Sequence, residues 1–123
     1  MCYDYIRMDT IAKPAFIHRV IRENLQDPLG RKIAWSRHAI TELVAEDLTR
    51  TEVEQALLDC EIIEDYPTLH RPLPDCLTLG WLNDVEPIHA VIAIDKILDR
   101  ILMVTIYRPS PEEWENDWRT RKR

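Results

Sequence analysis

Near Cys60 the spacing of apolar residues changes from a helical to a strand-like period, which limits the chain to helices first and a sheet second. Upstream, Pro14 can open a helix running to about Gln26, with Phe16, Ile17, Val20, Ile21 and Leu25 at helical spacing. Ser36 is a good N-cap for a second helix through about Glu46, whose face carries Ile40, Leu43 and Val44. Thr49 to Glu52 fits a capping box, and Val53, Ala56, Leu57 and Cys60 follow on one face, completing a helical hairpin. Downstream, Ile62 and Ile63, Cys76 to Leu82, Ile88 to Ile94 and Ile101 to Tyr107 read as strands. A proline-rich loop with Pro67, Pro72 and Pro74, a turn at Asn83-Asp84 and a link near Asp95-Lys96 separate them. Pro109 and Pro111 stop the last strand, and acids followed by cations predict a short helix over Glu112 to Arg119. The expected class is α+β: N-terminal helices on a mainly antiparallel four-stranded sheet, closed by a short C-terminal helix.

A chain of 123 residues, 46% hydrophobic, suffices for one core. Residues 1–34 read as an N-terminal extension with one helix and residues 35–123 as a single α+β domain. Met8 offers a second start, which would leave residues 1–7 without a role in the fold. Cys2, Cys60 and Cys76 form neither a CxxC pair nor an even set, which points to a reducing, cytoplasmic setting. No apolar run reaches the roughly 20 residues of a membrane helix, and none near the N-terminus resembles a signal peptide. The net charge of −6 opposes non-specific nucleic-acid binding. The acidity is concentrated, however, in residues 34–107, with five Lys/Arg against fourteen acids, whereas residues 108–123 hold five against four.

Among residues able to carry chemistry, His38 stands two positions after the N-cap and away from the apolar stripe of its helix. Helix-terminal amides disfavour its protonation, leaving it able to accept a proton or to serve as a first-turn surface residue. His89 shares a strand face with Val91 and Ala93; it is either a buried imidazole with both nitrogens bonded or a catalytic or ligand-binding group beside Thr105 and Tyr107. Register decides whether Thr105 and Tyr107 share the face of His89. RNA cleavage through the 2′-hydroxyl needs a base, an acid and a cation, roles that His38, His89, Tyr107, Arg108, Arg119 and Arg121 have the chemistry to fill. His70 in the proline loop and His18 in the first helix read as solvent-facing. Cysteines and histidines lack metal-ligand spacing, so neither a metal nor another cofactor is expected. Trp114 and Trp118, four apart, form a stripe suited to docking on the sheet or to a partner interface.

Several motifs together resemble the bacterial family of domain of unknown function 4258. They are Ser36-x-His38-Ala39, Glu61-Ile62-Ile63-Glu64-x-Tyr66-Pro67, Cys76-Leu77-x-Leu79-Gly80, Pro87-Ile88-His89, Thr105-x-Tyr107-x-Pro109 and Trp114-x-x-Asp117-x-Arg119-x-Arg121. The resemblance spans roughly residues 35 to 122. It implies a fold similar to RelE-like and barnase-like RNase toxins and a toxin-like, metal-independent ribonuclease of a toxin–antitoxin system. The implied partners are a small zinc-finger antitoxin and an RNA substrate, and the family's polar marks fall on His38, His89, Tyr107, Arg119 and Arg121. Glu42 and Glu46 stand where relatives look to carry arginines, and Asp47 replaces a turn glycine. Carboxylates there would repel an RNA backbone, which keeps open a non-catalytic protein-binding module of the same fold.

Overall fold

The computed structural model of the chain describes residues 12–66 and 73–123. His70, Pro67, Pro72, Cys2 and Met8 lie outside the described residues. In chain order the elements are α1 (Ala12–Gln26), β1 (Ile33–Trp35), α2 (Arg37–Ala45), α3 (Arg50–Ala56), β2 (Glu61–Tyr66), β3 (Asp75–Leu82), β4 (Glu86–Asp95) and β5 (Arg100–Tyr107). The helix starts follow their capping chemistry. Ser36 accepts the Ala39 amide, and Thr49 and Glu52 exchange the two bonds of a capping box.

The α+β class holds, but the sheet is five-stranded and mixed rather than four-stranded and antiparallel. Its order is β1-β5-β4-β3-β2. β1 runs parallel to β5, pairing Ile33 with Ile101 and Trp35 with Met103, and the other neighbours are antiparallel. Three residues are too few to show a period of two, so β1 gave no sequence signal. Its backbone is placed by Asn24 of α1, whose side-chain oxygen accepts the Lys32 and Ile33 amides at 2.9 and 3.1 Å.

Strand alternation divides the sheet into two faces, with register shifts between Ile62 and Glu64 of β2 and between Val91 and Ile92 of β4. On one face Ile88, Ala90, Ile92 and Ile94 meet Phe16, Ile17, Val20 and Ile21 of α1, Leu43 of α2 and Val53 and Leu57 from the α3 segment. Residues 12–26 thus belong to the main core. Lys13 reinforces the placement by pairing with Asp65 of β2 and donating to the Asp75 carbonyl. Of the expected α2 stripe only Leu43 is buried, whereas Ile40 and Val44 are exposed.

The second face carries Leu77, Val91 and Tyr107 and is covered by the segment after β5, through Trp114 and Trp118. That segment is not the expected helix. Asp117 captures the Arg119 and Thr120 amides on its side chain, Trp118 takes a left-handed φ of 60°, and Trp114 bridges back to Arg121. Asn116-Asp117 is turn chemistry in the middle of a span whose charge pattern favoured a helix.

Candidate functional site

The registers His89 with Tyr107 and Val91 with Thr105 put His89, Tyr107 and Thr105 on the face covered by the C-terminal segment. His89 is completely buried. Its Nε2 lies 2.8 Å from the Trp118 carbonyl, an acceptor, so Nε2 carries the proton and Nδ1 accepts from the Tyr107 hydroxyl at 3.2 Å. Trp114 and Tyr107 meet the ring edge-on at centroid distances of 4.5 and 5.2 Å. Burial lowers the affinity of His89 for a second proton, against the pull of the Trp118 carbonyl and Glu64. His89 is therefore a neutral, fully bonded histidine that holds the segment above it. Tyr107 is half-buried, and desolvation together with the charges of Glu64, Glu113 and Glu42 keeps its phenol protonated.

The three candidate phosphate ligands are each engaged by carboxylates. Arg119 grips Glu61 at 2.6 and 2.8 Å, and Arg121 grips Glu64 at 2.6 and 3.0 Å while lying 4.6 Å over the Trp114 ring. Glu64 also accepts the Tyr66 hydroxyl at 2.7 Å, and Arg121 foremost holds its carboxyl below the usual range. Arg108 donates to both the side chain and the carbonyl of Glu46 at 2.6 and 2.8 Å. A phosphate at any of these positions would meet a guanidinium already paired with a carboxylate.

His38 differs in being open to solvent, with 70% of its side chain exposed. Its Nε2 lies 3.5 Å from Glu42 Oε2, one helical turn on. The other oxygen of Glu42 accepts the Thr105 hydroxyl at 2.5 Å and the Ile106 amide at 2.9 Å. The sheet explains this arrangement. β1 stops opposite Met103, leaving later β5 groups without a strand partner; Ser36 takes the Met103 and Val104 carbonyls and Glu42 takes the next amide. Glu42 and Glu46, read from the sequence as repulsive to RNA, thus bind the sheet edge and Arg108.

The arrangement joins His38, Glu42 and Thr105 along the part of β5 beyond β1, and joins Tyr107 to His89 under the C-terminal segment. It separates Arg108 from the tail cations, which sit over β2. Arg37, marked by no motif, is exposed beside His38 and forms no ion pair with any described residue. The His38–Glu42 relation was legible as an i,i+4 pair; the engagement of Glu42 with β5 was not. His18, expected in solvent, instead donates from Nε2 to the Cys60 carbonyl at 2.6 Å. Cys60 and Cys76 are free, buried thiols whose burial pushes their pKa up to about 12.

Among the described residues no group of three or more His, Cys, Asp or Glu side chains is placed to hold a metal, and no helix is long and apolar enough to cross a membrane. Comparison with curated proteins and with solved structures finds no match to the chain. Residues 35–108, from the β1 end that precedes the Ser36 cap to the Arg108 that binds Glu46, match a family described as a domain of unknown function, DUF4258. With more than half its length in that match, the chain belongs to the DUF4258 family.

Proposed function

We propose that the chain is a toxin-like, metal-independent endoribonuclease whose acid–base group is His38. The observation that carries this reading is the solvent-open His38 backed by the Glu42 carboxylate, which is itself fixed to Thr105 and Ile106 of β5. A carboxylate behind an imidazole stabilises the proton that the ring gains as general base, and a fixed carboxylate also limits where the ring can point. In the reaction, the RNA 2′-hydroxyl gives its proton to His38 and its oxygen attacks phosphorus. The 5′-oxygen leaves with the proton of Tyr107, whose hydroxyl turns from His89 Nδ1 to deliver it, giving a 2′,3′-cyclic phosphate and a 5′-hydroxyl. Arg37 is the cation for the phosphorane, because Arg108, Arg119 and Arg121 are already paired. His89 is a positioning residue that orients the Tyr107 hydroxyl. Within a cytoplasmic toxin–antitoxin pair the partner is a small zinc-finger antitoxin, and the fold belongs with the RelE-like group.

The test is inducible expression of the wild type beside His38→Ala, Arg37→Ala and Tyr107→Phe, with total RNA examined for new ends. Growth arrest and cyclic-phosphate ends that persist with chelator, reduced about 10²-fold or more in His38→Ala, are the expected result. Intact RNA from folded, abundant wild-type protein would instead favour the protein-binding module. That second reading rests on the pairing of Arg119 and Arg121 with Glu61 and Glu64, which leaves the tail electrically closed toward phosphate.

A further inference from the structure

A second polar site lies away from the β5 edge, where the loop after α1 crosses β1 and α3. A cavity of about 310 Å³ opens there, lined by Asn24, Leu29, Trp35, Arg50, Thr51 and Glu54 among others. Its volume is near the lower end of small-molecule sites. Glu54 is 7% exposed, an unusual depth for a carboxylate. Its two oxygens accept the Trp35 indole N–H at 3.1 Å and the Asn24 amide at 3.3 Å. Both donors are neutral, and each carboxylate oxygen retains capacity for a further bond. Asn24 has no freedom to turn away, because its oxygen holds the Lys32 and Ile33 amides.

Arg50 lies one helical turn before Glu54 on α3 and lines the same cavity. Burial raises the pKa of Glu54, and the charge of Arg50, which forms no ion pair with it, acts in the opposite direction. A buried carboxylate with neutral donors gains strongly from an added cation, and the Arg50 guanidinium at the rim, which forms no ion pair with any described residue, is suited to a carboxylate. Leu29, 72% exposed, and Trp35 provide apolar surface beside them.

We propose that this cavity binds a small zwitterion of the α-amino-acid type, with its ammonium group on Glu54 and its carboxylate on Arg50. The charges of such a ligand complement the opposed pair that the cavity keeps apart. The wall formed by Trp35 and the rim at Leu29 accommodates a short side chain.

The Trp35 indole N–H, bonded to Glu54, is a direct reporter. ¹⁵N-labelled full-length protein is titrated with L-alanine and L-glutamine at millimolar concentrations, beside N-acetyl-L-alanine, which lacks the ammonium group, and L-alaninamide, which lacks the carboxylate. A saturable shift of the Trp35 indole resonance with the two amino acids is expected, with about tenfold or weaker binding of either blocked form. Arg50→Ala, at an exposed helix start, removes the preference for the amino acid over its amide. Glu54→Gln weakens amino-acid binding about tenfold or more; if that buried change unfolds the chain, Arg50→Ala decides. No saturable shift with either amino acid, or equal binding of N-acetyl-L-alanine, overturns the proposal.

Discussion

A histidine with both ring nitrogens bonded has no lone pair to offer a substrate, and this separates His89 from His38. His89 donates to the Trp118 carbonyl and accepts from Tyr107 beneath a covering Trp114, whereas His38 has one carboxylate neighbour and open solvent. The lowered pKa of His89 has a consequence for stability. The unfolded chain takes up a proton at this residue as the pH falls through about 6.5, while the folded chain resists until its own, lower pKa. Over that interval the unfolded state binds more protons, so stability falls on acidification, by up to about 1.4 kcal/mol per pH unit from this one group. Urea denaturation of the wild type and His89→Gln at pH values between about 7.5 and 5.5 checks this. The variant is less stable at neutral pH but loses less on acidification; parallel losses would refute the assignment of His89 as a buried neutral base.

Individual elements are positioned by close backbone approach as much as by side-chain packing. Gly80 in β3 lies under the end of α3, where an added Cβ would fall against the Ala56 carbonyl oxygen and within 3.0 Å of Leu57 Cδ2. The obstruction is backbone, which does not move aside as a flexible side chain would. Gly80→Ala should therefore lower stability by about 1–3 kcal/mol through overpacking, despite alanine being the better strand residue. A wild-type urea midpoint for this variant would mean that α3 does not rest on β3 as described. α2 depends on different contacts: Ala39 and Leu43 enter the core, and Ser36 and Glu42 replace the missing strand beyond β1. Its exposed Ile40 and Val44 are not needed for that attachment, which is why a stripe of three apolar residues is only one-third buried.

Over the whole molecule, helices cover one sheet face and the C-terminal segment covers the other. The two covers differ in kind. α1 contributes Ile17, Val20 and Ile21, all completely buried, and so brings residues outside the family match into the main core. The tail contributes one well-buried side chain, Trp114 at 2% exposure, and two ion pairs whose members are largely half-exposed. Area favours the tryptophan strongly: truncating a buried Trp costs about 3–5 kcal/mol, and an exposed ion pair contributes about 0–1 kcal/mol. Trp114→Ala should therefore loosen the tail and expose Leu77 and Val91, with increased binding of a hydrophobic dye. Arg119→Ala should leave the urea midpoint nearly unchanged. The reverse order of effects would show that charge rather than burial closes the second face.

Local chemistry made much of this legible before the tertiary structure. The helix starts at Ser36 and Thr49, the change of period after Cys60, the hairpin at Asn83-Asp84 and the opposite facing of His89 and Ile88 follow from caps, turn residues and alternation, all short-range signals. Three-dimensional contact decided the rest. β1 is specified by its partner β5 and by Asn24; the tail forgoes its helix because Asp117 bonds the backbone locally and Trp114 docks on the sheet; and the roles of Glu42, Glu61 and Glu64 depend on residues 57 to 64 positions away. Sequence spacing reports which side chains share a face of one element. Which charges meet across elements is set by sheet register and chain crossing, and only the folded chain brings Glu42 between His38 and β5.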